Sequence, residues 1–492
     1  MNIQLCTVRI ETLGCRLNQA EAESFTALCV DAGFSIYTNR IDYAGLSHAM
    51  PAQAEAGTTI AETSASLHFL SVLPPESVAF CFVNTCTVTG KAEQKARRLI
   101  RLLVKEHPYA VILVTGCYAQ LEAAGIEALH PHVLAFPGKQ KDLLTSVPAY
   151  LAALIRSAPS FDTALFLDTL RDFLTGLTAG IQSRPASQQE LFTLSSPHFL
   201  FHSRALLKIQ DGCNEACAYC RIKLARGRSV SLPAAEVVKR LQRIEKTGIP
   251  EVTLSGVNLS HYRSEAGDFA GLLNLILANS RIRIRISSLY PDRIDKTLIP
   301  LLAHPRICPH FHLSVQSGSD TVLKAMRRNY TRETVYKAVA ELRRVKDNPF
   351  IGADVIAGFP GETEKDFEDT YRMCRELNFA GVHAFPFSAR PGTEAWKMQP
   401  KVPERLAGQR VKTLNRFAEK QTEAYLHTWE GKIVYGVTEA PQNGRRTVIT
   451  ENYLSLALTN ASLQNAPPLN GGEYVRVRVC GKAAELTEII NR

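Results

Sequence analysis

Three cysteines, Cys213, Cys217 and Cys220, fall within the stretch "DGCNEACAYC". Thiols so close on one loop are suited to a shared metal, and a structural metal site closes its shell with four protein ligands. Here the fourth is missing. The next cysteine is Cys308, and from Arg221 to Ser260 the chain contains no His. The set is either incomplete or built with an open coordination position, as catalytic metal sites are.

A second set is spread along the N-terminal third. The β-rich runs "TVRIETLGC", "VAFCFVNTC" and "YAVILVTGC" end at Cys15, Cys86 and Cys117. One cysteine at a strand end is more often a small buried apolar residue than a ligand. Three at successive strand ends, each beside a Gly or Thr, point instead to joint ligation of an iron-sulfur cluster, again with one iron lacking a protein ligand. Cys81 sits mid-strand, and Cys6, Cys29, Cys308, Cys374 and Cys480 have no thiol neighbour in sequence; these read as structural.

The elements that must position these residues follow from periodicity. Each N-terminal strand is followed by a helical stretch, "RLNQAEAESFTALCVDAGF", "TVTGKAEQKARRLIRLLVKEH" and "YAQLEAAGIEALH", which predicts a doubly wound parallel sheet over residues 1–145. Ligands of such sheets bind beyond the carboxyl ends of the strands, where all three cysteines fall. An Ala-, Ser- and Thr-rich insertion at 40–75 reads as a surface excursion, and 146–200 as an extended linker with some helix of its own. Over 201–427, six runs alternate with helices: "RALLKIQDG", "EVTLSGVN", "RIRIRISSL", "HFHLSVQSGS", "FIGADVIAGFPG" and "FAGVHAFPFSAR". They predict a partial (β/α) barrel with its site at the strand carboxyl ends. Ser255, Gly256, Ser288, Gln316 and Gly358 would face that opening as cofactor contacts, and Ser287 would face the same opening. Arg281, Arg283 and Arg285 share one face of the third strand, and structural pairing with a carboxylate is expected of at least one. Residues 428–492 turn to short β runs, predicting a small antiparallel barrel of a kind that binds RNA.

Composition narrows the function classes. The chain has 492 residues, 45% hydrophobic and 21% charged, values of a soluble globular protein of several domains. No apolar run reaches the roughly 20 residues that span a bilayer, and the N-terminus has no basic start or apolar core of a signal peptide. The expected location is cytoplasmic, with reduced thiols. Fifty-seven Lys and Arg against 47 Asp and Glu give a net charge of +10, which suits an anionic partner such as nucleic acid. Lys91, Lys95, Arg97, Arg98, Arg101 and Lys105 on the helix after Cys86 read either as a solvated face or as a phosphate-contacting stripe.

With these residues in hand, a resemblance emerges. "CNEACAYC", with the aromatic Tyr219 before its last cysteine, resembles the radical S-adenosylmethionine enzymes. "TLGCRLNQAEAES", "VNTCTVTGKAEQKARR", "VTGCYAQ", "ARGRSVS", "VQSGSDTVLKAMRRNYTRE" and "DVIAGFPGETEKDFEDT" are similar to the methylthiotransferases of that superfamily, whose domain order ends in a barrel called TRAM. "GCRLNQ" and "NTCTVT" resemble the enzymes acting on threonylcarbamoyladenosine in tRNA rather than those acting on isopentenyladenosine tRNA or on a ribosomal protein. One departure is "RIKLARGR" after Cys220, where the family commonly has an Ile-Pro pair.

The resemblance implies two 4Fe-4S clusters. One, on Cys213, Cys217 and Cys220, leaves its fourth iron to S-adenosylmethionine; cleavage yields a deoxyadenosyl radical that takes hydrogen from C2 of the modified adenine beside the anticodon. The other, on Cys15, Cys86 and Cys117, presents sulfur to that carbon. Tyr219 joins the implied cofactor contacts. The implied partners are the tRNA anticodon stem-loop, an external electron donor and a sulfur source, with no membrane. The competing class is an iron-sulfur RNA-binding protein without turnover.

Overall fold

The three apolar runs that end in cysteine form the centre of a five-stranded parallel sheet. In the computed structural model, which describes residues 7–38, 78–157, 162–179, 192–194, 203–441, 445–463, 469 and 471–490, these strands are β1 (Thr7–Thr12), β3 (Val78–Thr85) and β4 (Val111–Gly116). The short β2 (Ser35–Tyr37) and β5 (Val133–Ala135) add the edges, in the order β2-β1-β3-β4-β5. Cys6 and the 40–75 insertion lie outside the described residues. The order reverses between β1 and β3, the topological switch point at which doubly wound sheets open a crevice. Helices α1 (Arg16–Asp31), α2 (Gly90–Glu106) and α3 (Cys117–Glu127) return the chain between strands.

Local sequence explains these helices. In α2, Ala96, Ile100 and Leu103 recur at helical spacing and are fully buried against the sheet. Each such large aliphatic side chain contributes about 1.5–3 kcal/mol on burial. Thr89 caps the helix, its hydroxyl accepting from the Ala92 amide at 3.1 Å. The opposite face carries Lys91, Lys95, Arg98, Arg101 and Lys105, all exposed, while Arg97 turns back to the Tyr118 hydroxyl at 2.8 Å.

By its contacts the chain divides into two units, Met1–Leu200 with Arg221–Arg228, and Phe201–Cys220 with Ser229–Arg492. The stretch read as linker contributes two helices to the first unit, α4 (Val147–Ser157) and α5 (Thr163–Ala179). Val147, Leu151 and Ile155 of α4 and Phe166, Leu170 and Leu174 of α5 are buried at four-residue spacing; the Ser and Pro punctuation around them masks that periodicity. The first unit also takes in α6 (Ile222–Arg226).

The second unit holds the six barrel strands. β6 (Ala205–Lys208), β9 (Glu251–Ser255) and β10 (Arg283–Ile286) form one parallel sheet. β11 (Ser288–Leu289), β12 (His310–Gln316), β13 (Phe350–Ala357) and β14 (Gly381–Pro386) form another. The run "RIRIRISSL" thus breaks at Ser287, giving one strand to each sheet. Two-residue strands β7 (Gln210–Asp211) and β8 (Val230–Ser231) pair beside the cysteine loop. Last come β15 (Ile433–Thr438), β16 (Thr447–Thr450), β17 (Ser455–Leu458), β18 (Tyr474–Cys480) and β19 (Ala483–Ile489), which close into a five-stranded barrel.

The arginine row resolves as structural pairing. Arg281 is exposed, whereas Arg283 donates to Glu451 at 2.7 Å. Arg285 is fully buried, with Nε 2.7 Å from Glu251 and Nη2 3.0 Å from the Thr450 carbonyl of the closed barrel. Burial works to raise the Glu251 pKa, but Arg285 overrides it and holds the carboxyl at about 2. With a folded value below the unfolded one, the stabilisation is present above the ordinary carboxylate range and is lost as pH falls through about 2. Arg285→Ala strands a buried carboxylate, so we expect it to lower the unfolding free energy of this unit by about 3–5 kcal/mol. A urea midpoint equal to that of the unaltered protein would contradict this.

Candidate functional site

In the first unit, chain reversal at glycine sets the cysteines. Gly14 has φ +107° and lies so close to Cys86 that a Cβ would sit 2.4 Å from the Cys86 Cβ. Gly116, with φ +96°, leaves a Cβ no room against the Thr85 carbonyl, 2.4 Å away. Only glycine meets both demands, so the "LGC" and "TGC" turns bring Cys15 and Cys117 to the carboxyl end of the sheet beside Cys86. Cys15 is exposed at the start of α1, while Cys86 and Cys117 are buried.

The three thiols feel one another. Burial pushes Cys86 up to about 12, with further increments from Cys15 and Cys117. Cys117 is also raised by burial, against which Arg226 works. Left alone, the two buried thiols stay protonated, whereas a bound metal deprotonates its thiol ligands outright. The flanking groups suit a thiolate-bound centre. Arg226 Nε lies 3.2 Å from Cys117 Sγ and Nη2 donates to Asn18 at 2.7 Å, and the Val88 amide points at Cys86 Sγ from 3.5 Å. Asn18 in turn donates to the carbonyls of Leu13 and Thr85, tying together two of the cysteine turns. Buried Glu21 balances the arginine, with Lys141 2.6 Å and Arg226 3.5 Å away.

In the second unit, the loop after β7 carries Cys213, Cys217 and Cys220. Hydrogen bonds pin it at both flanks of Ala218, whose amide donates to Met326 O and whose carbonyl accepts from Ala395 N, at 3.0 and 2.8 Å. Burial raises the Cys213 thiol, and the Glu215 amide acts in the opposite sense. Its sulfur lies 4.0 Å from Asn258 Nδ2 and 3.8 Å from His261 Nδ1. Arg328 donates to Cys217 Sγ at 3.4 Å while its guanidinium lies over Tyr290 and Tyr330, 4.6 and 5.3 Å from the ring centroids.

His261 is the first histidine after the loop, yet it does not supply a fourth ligand. Its Nδ1 accepts the Asn214 amide at 3.3 Å, which assigns the proton to Nε2, 3.0 Å from Glu215. Both nitrogens are engaged in orienting the loop. Among the described residues, the loop thus gathers three thiols and flanking hydrogen-bond donors, with His261 engaged elsewhere.

The other candidate contacts differ in character. Ser255 ends β9 and Ser287 follows β10; both hydroxyls are buried without a hydrogen-bond partner among the described residues. Buried polar groups are normally satisfied by protein or by ordered water, so these two hydroxyls are open to a bound water or ligand. Gln316 ends β12 at φ +68°, a strained value for a residue with a side chain. Ser288 is half-buried on β11. Tyr219 packs edge-on against Phe359, ring centroids 6.4 Å apart. At Gly256 and Gly358 the close approach is made by protein: a Cβ would meet Gln210 Oε1 at 2.9 Å and Ala407 Cβ at 2.4 Å, respectively. Arg226, Asn258, His261 and Arg328 escape a reading of spacing because each meets its cysteine across a long loop; only Asn258 stands in a motif, "SGVN", that spacing singles out.

Comparison with known proteins agrees with this geometry. Residues 207–374 match the Radical SAM superfamily, and residues 55–138 match the uncharacterized protein family UPF0004. A threonylcarbamoyladenosine tRNA methylthiotransferase MtaB from Treponema pallidum is 47% identical, covering 98% of this chain and 99% of that protein. The protein of the same name from Bacillus subtilis is 30% identical over 96% of this chain and 97% of its own. A tRNA-2-methylthio-N(6)-dimethylallyladenosine synthase from Solibacter usitatus is 30% identical over 96% of this chain and 95% of its own. With a relative of 47% identity along nearly its whole length and a radical SAM match over residues 207–374, the chain belongs to the radical S-adenosylmethionine tRNA methylthiotransferase family that includes the MtaB proteins.

Proposed function

We propose that this enzyme methylthiolates C2 of N6-threonylcarbamoyladenosine beside the anticodon of tRNA, using two iron-sulfur clusters in separate roles. The observation that carries the reading is the pair of three-cysteine sets, each gathered at the carboxyl ends of parallel strands. Membership in the radical SAM superfamily implies one 4Fe-4S cluster and S-adenosylmethionine. Cys213, Cys217 and Cys220 would hold that cluster, and Cys15, Cys86 and Cys117 the second. When bound, the first supplies the electron that cleaves S-adenosylmethionine and the second supplies the sulfur to be transferred.

The chain's own residues bind, orient and shield. Arg328 and Asn258 place N–H donors toward the loop sulfurs, which offsets thiolate charge. His261 and Glu215 hold the loop backbone. The hydroxyls of Ser255 and Ser287 stand ready to hydrogen-bond a polar cofactor at the strand ends. For the nucleic acid, the closed barrel offers Tyr435 and Tyr474, stacked with centroids 5.6 Å apart, and Arg476 over Tyr435 at 5.7 Å. Aromatic faces beside arginine suit bases and phosphates of RNA. The choice of acceptor rests on "GCRLNQ", "NTCTVT" and the name the MtaB relatives carry.

The test offers the reconstituted enzyme, with reductant and S-adenosylmethionine, separate tRNAs bearing threonylcarbamoyladenosine or isopentenyladenosine, followed by mass spectrometry of the nucleosides. The methylthio product is expected on the threonylcarbamoyl form. Product on the isopentenyl form alone would sink the assignment.

A further inference from the structure

Neighbouring strands of the second unit bring together two imidazoles and a carboxylate. His312 on β12, Asp354 on β13 and His383 on β14 each offer a donor atom, and among the described residues these three atoms lie within 4.8 Å of one another. His312 Nε2 is 2.9 Å and His383 Nδ1 3.6 Å from the same oxygen, Asp354 Oδ1. The two rings are 4.9 Å apart.

Strand alternation builds the group. Phe311 and Leu313, Ala353 and Val355, and Val382 are buried on one face of the sheet, which sends His312, Asp354 and His383 to the other. Register pairs Asp354 with His383 and His312 with Gly352. The absence of a side chain at Gly352 is what admits the histidine, since a Cβ there would lie 3.0 Å from His312 Nδ1. His312 also pairs with Ser288 on β11, so the group stands one strand away from a candidate cofactor contact.

We propose that His312, Asp354 and His383 bind a divalent first-row transition ion of the Zn2+ class, with water or an oxygen-bearing ligand completing its shell. Zinc takes imidazole nitrogen and carboxylate oxygen at about 2.0–2.2 Å. Two ligands at that radius are separated by roughly 3.0 Å at a right angle and 3.4 Å at a tetrahedral one. The observed 2.9 and 3.6 Å bracket that interval. A hydrogen bond accounts for the first distance and an ion pair for the second, and both are also separations at which one shared ion holds two of its ligands. Two neutral imidazoles and one carboxylate also form the donor set that such ions prefer. His383 is half exposed, which leaves an entry path.

The experiment uses the enzyme with its clusters reconstituted, so that the cluster thiols are occupied, dialysed anaerobically against Zn2+ and assayed for zinc and iron. Unaltered protein is expected to retain one zinc per chain beyond its iron, and His383→Ala and Asp354→Asn each to weaken zinc binding at least tenfold. His383 is half exposed on an edge strand, so its replacement leaves the fold intact; unchanged iron content and circular dichroism verify this. Mn2+ electron paramagnetic resonance titration of the same proteins gives a second readout. No zinc retained beyond the iron, or zinc retained equally by His383→Ala, would overturn the proposal, the latter meaning uptake by thiols. Neither outcome depends on which nucleoside is the acceptor.

Discussion

Cys217→Ala is expected to form no deoxyadenosine above the uncatalysed background when reduced in the presence of S-adenosylmethionine. The three neighbouring thiols on one loop are the ligands proposed for the radical site, and His261 is already committed through both nitrogens to Asn214 and Glu215. Neither ring nitrogen is therefore spare to replace the lost sulfur. The loop itself should persist, because its backbone is held by Met326, Ala395 and the His261 contacts rather than by the thiol. A loss of activity in a folded variant is then a loss of cluster ligation, visible as roughly half the iron of the unaltered protein. Arg328, deprived of the Cys217 sulfur, keeps its bond to the Ser314 carbonyl at 3.0 Å and its two tyrosine faces, so no bare buried charge is created. Cleavage of S-adenosylmethionine at the original rate would show that Cys217 is not a ligand.

The parts of this protein that short-range pattern encodes were legible from residues alone. Strand-then-helix alternation with cysteine at the turn gave β1, β3 and β4 and their helices, because the 2- and 3.6-residue periods are local properties. That Cys15 and Cys86 flank the switch point is not local. It depends on β3 pairing with β1 instead of β2, a choice made by the whole sheet. The fully buried Arg285 shows the same limit: a row of alternating arginines announces that partners are needed, but Glu251 and the carbonyls at the β16 turn are far off in the chain.

Other features were hidden by composition. Helices α4 and α5 bury an apolar face, yet Ser and Pro around them resemble linker. His312, Asp354 and His383 stand on three different strands with no motif joining them, so only strand register brings them together. Arg226 is the most consequential of the residues that spacing conceals. It stands in "ARGRSVS", a run quoted for its resemblance, while its contact with Cys117 spans 109 positions.

Replacing Cys15, Cys86 and Cys117 together by Ala should separate the two jobs: deoxyadenosine formation is retained, bound iron falls to about half, and the methylthio nucleoside disappears. The reasoning starts from where the three thiols come from. Each terminates a different strand–helix turn of the first unit, and the turns are held by Gly14, Gly116 and the Asn18 bonds to Leu13 and Thr85, none of which needs a sulfur. The triple variant should therefore fold, at a cost of about 1 kcal/mol for each buried sulfur replaced by a smaller group. Arg226 loses its sulfur acceptor but keeps Asn18 and Glu21, which limits the electrostatic penalty. Since Cys213, Cys217 and Cys220 remain, the ligands for cleaving S-adenosylmethionine are untouched, and what is removed is the proposed source of transferred sulfur. If the three cysteines are packing residues only, the folded variant will carry its full iron and make product at the normal yield. In that event sulfur must reach the nucleoside without these thiols, and the crevice at the switch point loses its proposed role.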